Sequence, residues 1–120
     1  MCKNFLYFCS LKLLIVKIAF EKEYLKELYA LGKSKTKSYR FQPEIVRKYK
    51  RVIDLMISVP NVHSLLNFNS LNYEKLKGDK AGFSSVRVNN KYRIEFIESF
   101  MADETIASIC NITELSNHYK

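Results

Sequence analysis

The sequence predicts an α+β domain: an N-terminal strand and a two-helix hairpin packed on one face of a mainly antiparallel sheet of four to five strands. Three observations carry that expectation. The apolar residues change from a strand-like run to helical spacing at Phe20. A second helical stripe opens at Pro43, and the chain beyond Asn72 reads as short strands separated by turns. The element order is β-α-α-β-β-β-β, without internal repeats, linkers or low-complexity tracts.

Residues 13–19 supply the first strand. Residues 1–12 are set apart as a strand extension or a spurious upstream start, which leaves 13–120 as a single domain. The apolar run 5–20 superficially resembles a signal sequence. Lys12 and Lys17 interrupt it, no small-x-small cleavage pattern follows, and it falls short of the roughly 18–20 residues that span a bilayer. No membrane association is expected.

From Phe20 onward, Tyr24, Leu25, Leu28 and Leu31 keep helical spacing, with Glu21, Lys22, Glu23, Lys26 and Glu27 on a solvated face. Gly32 suits the C-cap. The basic connector 33–40 is expected to be exposed. Pro43 fits the first turn of a second helix. Its buried stripe is Ile45, Val46, Tyr49, Val52, Ile53, Met56 and Ile57, and Pro60 marks its end. Residues 62–68 have room for another helical turn. Strands are expected near 72–77, 84–88, 92–97 and 105–112, and the weak alternation of the last suggests an interior position.

The register of the hairpin 84–97 is the most informative feature. A two-residue turn at Asn89-Asn90 would set Val86 against Arg93 and mix apolar residues with charge. A three-residue loop, Asn89-Asn90-Lys91, pairs Val88 with Tyr92 and Val86 with Ile94, sorting apolar from polar. Such loops commonly use a left-handed residue, which asparagine tolerates. This register sets Arg87 directly across from Arg93. Like charges facing across a strand pair are destabilising, so the pair makes most sense with an anion between them, which outlines a phosphate site.

Composition narrows the class. With 120 residues, 48% of them hydrophobic, and only 3 Gly and 2 Pro, the chain can bury a core and is not a disordered tail. Its 20 basic and 12 acidic residues leave a net charge of +8, which suits a polyanionic partner such as nucleic acid or an acidic protein. The 3 cysteines sit at unrelated spacings and fit a reducing cytosol. There is no Cys-x-x-Cys, and His63 and His118 are far apart, so no metal or other cofactor is expected.

The Leu-Lys-Gly-Asp run at 76–79, the segment from Gly82 ending Ser-Val-Arg-Val, and Tyr92-Arg93-Ile94 together resemble the HigB branch of the RelE/ParE toxins. The ending Glu114-Leu115-Ser116-Asn117-His118-Tyr119 is also similar to the terminus of that family. With the helix pair, the resemblance covers roughly residues 13–120. It implies the small RelE-like fold, a cytoplasmic location, and the toxin half of a type II toxin–antitoxin module. The implied activity is a ribosome-dependent, metal-independent messenger-RNA endonuclease. The implied partners are a small helix-turn-helix antitoxin, the ribosome and messenger RNA, with promoter DNA bound only through the antitoxin complex. The exposed helix hairpin or the connector 33–40 is the expected antitoxin dock.

In that chemistry the ribose 2′-OH attacks the adjacent phosphate. Arg87 and Arg93 hold phosphate oxygens, and Lys77 adds a third cation. The resemblance supplies His118 and Tyr119 for proton transfer or stacking. The family pattern has a terminal Asp-Tyr-His and a histidine before the Leu-Lys-Gly run. Here the end reads Asn117-His118-Tyr119, and Glu74 occupies the other neighbourhood as a candidate base. Lys75, Lys80 and Tyr92 are candidate RNA contacts. Each has a plainer reading: Arg87 and Arg93 pairing with Glu95 and Glu98, ordinary surface lysines, a frayed terminus, a tyrosine that only packs. The competing function is a ParE-like toxin that binds DNA gyrase without catalysis, or a decayed toxin that only binds its antitoxin.

Overall fold

Apolar periodicity becomes two helices and five strands in the computed structural model of the chain, which describes residues 16–99 and 108–117. The expectations for 1–12, for the start of the first strand at 13–15, for 105–107, and for His118 and Tyr119 lie outside those residues. Strand β1 (Val16–Phe20) leads into helix α1 (Glu23–Leu31) and helix α2 (Pro43–Ser58). Strands β2 (Glu74–Lys75), β3 (Ser84–Arg87), β4 (Tyr92–Ser99) and β5 (Ser108–Asn117) follow. The sheet order is β1-β5-β4-β3-β2; β1 runs parallel to β5 and every other pairing is antiparallel.

Helix α1 stops where expected: Gly32 adopts φ 80° and donates its N–H to the Leu28 carbonyl at 3.2 Å. Glu27, expected on the solvated face, is instead buried. Ser34 Oγ and the Lys35 N–H both donate to its Oε1 at 3.1 Å, so the connector folds back over this carboxylate and buries Ser34 with it. In α2 the predicted stripe is buried except for Ile57, which is 42% exposed. Ile57 lies at the margin of the stripe, and the helix ends one residue later. Tyr49 is fully buried and donates its hydroxyl to the Leu25 carbonyl at 2.8 Å, tying the two helices together. Burial pushes its phenol well above the usual value. Leu25, Leu28, Ile53 and Met56 share one core with Val86, Ile94, Phe96 and Ile112 of the sheet. Burying each such side chain stabilises the fold by about 1.5–3 kcal/mol.

Residues 62–68 do hold helical structure, as a 3₁₀ segment Val62–Asn67 followed by a second at Asn69–Leu71. Strand β2 is shorter than expected at both ends, and before its start Asn72 takes a left-handed conformation with φ 45°. Strand β5 lies inside the sheet, as its weak alternation suggested, but runs to Asn117 rather than stopping at 112. Ile94 and Phe96 pair with Leu115 and Ile112, leaving Thr113 as an extra residue in a bulge. Thr113 Oγ1 donates to the Glu95 carbonyl at 3.0 Å. The bulge lets Ile112 and Leu115, three positions apart, both point into the core.

The hairpin register is the predicted one: Val86 opposes Ile94, Arg87 opposes Arg93, and the Val88 N–H donates to the Tyr92 carbonyl at 2.9 Å. The loop uses no left-handed residue. Asn89 Oδ1 accepts the N–H groups of Lys91 and Tyr92, each at 2.8 Å, so its side chain closes the turn instead.

Candidate functional site

The sheet face turned away from the helices carries two cross-strand rows. One runs Glu74, Ser85, Glu95, Glu114 across β2 to β5, and the next runs Arg87, Arg93, Ser116 across β3 to β5. Alternation along each strand fixes this, because the intervening Val86, Ile94 and Leu115 belong to the core.

Glu95 organises the centre. Its side chain is only 1% exposed, and two cations hold it: Lys80 Nζ lies 3.0 Å from Oε1, and Arg93 places Nε at 3.0 Å and Nη2 at 2.9 Å from Oε2. Such charge-assisted bonds offset the desolvation of a buried carboxylate. Lys80 reaches the site because residues 76–83 curl back on themselves. Gly78 and Gly82 adopt φ 68° and 97°, and the Leu76 N–H donates to the Phe83 carbonyl at 2.9 Å. The bond to Glu95 raises the Lys80 ammonium above its ordinary value; Glu114, with Oε1 at 3.9 Å, adds to the shift, and Arg93 opposes it.

The two arginines share a face at their Cα atoms, but their guanidinium groups lean apart. Arg93 turns along its own strand to Glu95, and its side chain is only 12% exposed. Arg87 is exposed and turns toward the loop, where Nε donates to the Asn89 carbonyl at 3.3 Å and Nη2 to Asn90 Oδ1. The plainer pairing weighed for Arg93 is therefore present, while Arg87 has no carboxylate partner among the described residues.

The remaining candidates divide between surfaces. Glu74 is exposed on β2 beside Ser85. Lys77 is exposed at the start of the Gly78–Lys80 turn, with no ion pair among the described residues. Lys75 opposes Ser84 and lines a shallow depression with Ser84 and Glu98, away from Glu74. There Glu98 accepts the hydroxyls of Ser84, at 2.6 Å, and of Tyr73, whose phenol is raised by burial and then by that bond. Tyr92 is half-buried on the core side, edge-on to Phe41 with ring centroids 5.6 Å apart. Glu74, Lys80, Arg87 and Arg93 thus emerge on one face, whereas Lys75 and Tyr92 do not. Sequence reasoning weighed Glu95 only as a competing partner and missed its anchoring role. The signal was present, because a residue two positions after Arg93 on a strand shares its face. Among the described residues, no three His, Cys, Asp or Glu side chains converge to hold a metal ion.

No curated protein matches the chain. Similar solved structures include a YoeB/ParE toxin from Agrobacterium tumefaciens, 18% identical, covering 86% of this chain and 99% of that one, with a TM-score of 0.48. A YoeB-YefM complex from Staphylococcus aureus is 18% identical over 87% of this chain and 98% of that one, at 0.44. A YafQ mutant from E. coli is 11% identical over 85% and 92%, at 0.43. The family described as RelE-like toxin of type II toxin-antitoxin system HigB matches residues 18–109.

Proposed function

Because this chain belongs to the HigB-like toxins, the RelE-like toxins of type II toxin–antitoxin systems, we propose that it cuts messenger RNA on the ribosome, using the charged face of its sheet. The observation that carries this reading is the placement of Arg87 across from Arg93, beside Lys80 and on the same face as Glu74.

The 2′-OH attacks the neighbouring phosphorus, the new O–P bond forms, and the bond to the 5′-oxygen breaks. A 2′,3′-cyclic phosphate and a free 5′-OH result. Glu74 takes the proton of the attacking hydroxyl, and the His118 imidazolium gives one to the leaving oxygen. Tyr119 stacks on a neighbouring base. Charge gathering on the phosphorane oxygens is met by Arg87, Arg93 and Lys77. Glu95 uses the Nε–Nη2 edge of Arg93; its Nη1 donors, without a partner among the described residues, are the ones that meet phosphate. Ribosomal RNA orients the message and lowers the entropic part of the barrier. The antitoxin is a helix-turn-helix protein, promoter DNA is bound only through the complex with it, and the toxin acts in the cytoplasm. Among the described residues, no helix is long and apolar enough to cross a membrane.

Translation of a defined message with purified ribosomes, read by primer extension, tests this. Wild-type protein should cut within the reading frame and leave cyclic-phosphate ends. Glu74→Gln, and separately truncation after Asn117, should each lower cutting by about 10²-fold or more. One observation favours a second reading: Arg93 is already neutralised by Glu95, as suits a toxin that poisons DNA gyrase by contact or only binds its antitoxin. Absence of cutting together with inhibited gyrase supercoiling would establish the gyrase reading and remove the first; absence of both would leave a toxin that only binds its antitoxin.

A further inference from the structure

We propose that the cleft between the start of α2 and the tip of the β3–β4 hairpin is a second RNA site, taking the sugar–phosphate backbone of nucleotides that flank the cut. The proposal rests on the ribonuclease reading above and extends it to a surface that reading does not use. The cleft encloses about 500 Å³, within the range of pockets that hold small ligands. Arg40, Lys48 and Lys91 supply its cations, and Asn89, Asn90 and Asn117 supply amides.

The amides are committed in a telling way. Asn89 spends its carbonyl oxygen on the N–H groups of Lys91 and Tyr92, and Asn90 spends its own on Arg87. What both have left are amide N–H donors. Donors and cations together make a wall that suits acceptor-rich, anionic ligands. Arg87 does not itself line this cleft, but the same two asparagines hold its guanidinium, and a neighbouring depression lined by Arg87 and Arg51 shares Lys48 with it. On its far side the cleft joins a second one of about 540 Å³ through the shared Arg40 and Phe41, which adds Lys33 and Lys35. Among the described residues lining the two clefts the one acid is Glu44, 3.6 Å from Lys48. Arg40 and Lys91 have no carboxylate partner among the described residues, unlike Lys80 and Arg93. Adjacency to Arg87 favours RNA over an acidic protein segment, because a strand whose phosphate meets Arg87 is carried on toward this groove.

The probe is a short single-stranded RNA with 2′-O-methyl groups, which binds but cannot be cut, followed by fluorescence anisotropy across a salt series. Arg40→Ala/Lys91→Ala in the full chain should weaken binding roughly tenfold at low salt. It should flatten the plot of log K against log salt by about 1.4, since each phosphate contact on a single strand contributes about 0.7. Arg40→Lys/Lys91→Arg should restore both. An unchanged slope in the alanine variant overturns the site, as does failure of wild-type protein to bind this RNA at low salt. Poly-glutamate that competes as tightly as the RNA, with a matching loss in the variant, also overturns it in favour of an acidic protein. The two readings separate cleanly. Cutting with an unchanged slope sinks only this site, whereas a variant-sensitive slope without cutting sinks the nuclease and keeps the cleft only as an RNA site that flanks no cut.

Discussion

Arg93 and Arg87 stand opposite each other on neighbouring strands, yet one sits in a closed knot of charge and the other at an open rim. Arg93 is nearly covered and shares the buried Glu95 with Lys80. Arg87 is exposed and leans on the amide and carbonyl of a loop, beside a cleft whose cations, apart from Lys48, have no acidic partner among the described residues. The pairing register dictates only that the two Cα atoms face each other. Where a guanidinium group ends up depends on the nearest acceptor, and the strand offers one acceptor to Arg93 and another to Arg87. The knot fixes geometry in advance at the cost of burying charge. The rim keeps its cations hydrated and available to a ligand.

The difference breaks most visibly at Glu95. Glu95→Ala leaves the Arg93 guanidinium largely buried without its anion, and breaking a buried pair from one side costs about 3–5 kcal/mol. Urea unfolding should show the midpoint falling by that equivalent with the slope retained. A loss under about 1 kcal/mol would mean that the knot is no more than surface decoration. Arg87 should behave in the opposite sense. Its partners are loop atoms at an exposed position, so Arg87→Ala should change stability by no more than about 0.5 kcal/mol. Cutting on ribosomes should nevertheless fall by about 10²–10³, the loss usual for one donor to a developing oxyanion. Equal losses of stability and activity in this variant would erase the distinction between the two arginines.

Much of this contrast could be read before any coordinates. The hairpin register followed from sorting Val86, Val88, Tyr92 and Ile94 away from the arginines, and sheet pairing obeyed it. The end of α1 at Gly32 and nearly all of the α2 stripe followed from local chemistry in the same way. What escaped depended on contacts distant in sequence. The strand expected to stop at 112 runs on to Asn117 only because residues beyond the Thr113 bulge pair with β4. Glu27 looks solvated until the connector closes over it. At the site, residue identities revealed which cations share a face, and alternation put Glu95 beside Arg93, but the lean of Arg87 was set by the loop asparagines, whose positions no periodicity encodes.

Lys80 gives the finest test, because it joins the knot while remaining about half exposed. Its bond to Glu95 raises its pKa above 10.5; Glu114 adds to the shift, while partial desolvation and Arg93 oppose it. A group whose folded value lies above its unfolded one contributes its full stabilisation at any pH below the unfolded value. That contribution fades as pH climbs through the folded value. Solvent screening at this exposure limits it to about 0.2–1 kcal/mol. The difference in unfolding free energy between wild type and Lys80→Met should therefore be constant from neutral pH to about 10, then shrink in more alkaline solution. Tyrosines titrating in the same window act on both proteins alike and cancel in the difference. A gap that survives unchanged in strong alkali would show that Lys80 supports the fold through its apolar stem rather than through its charge on Glu95.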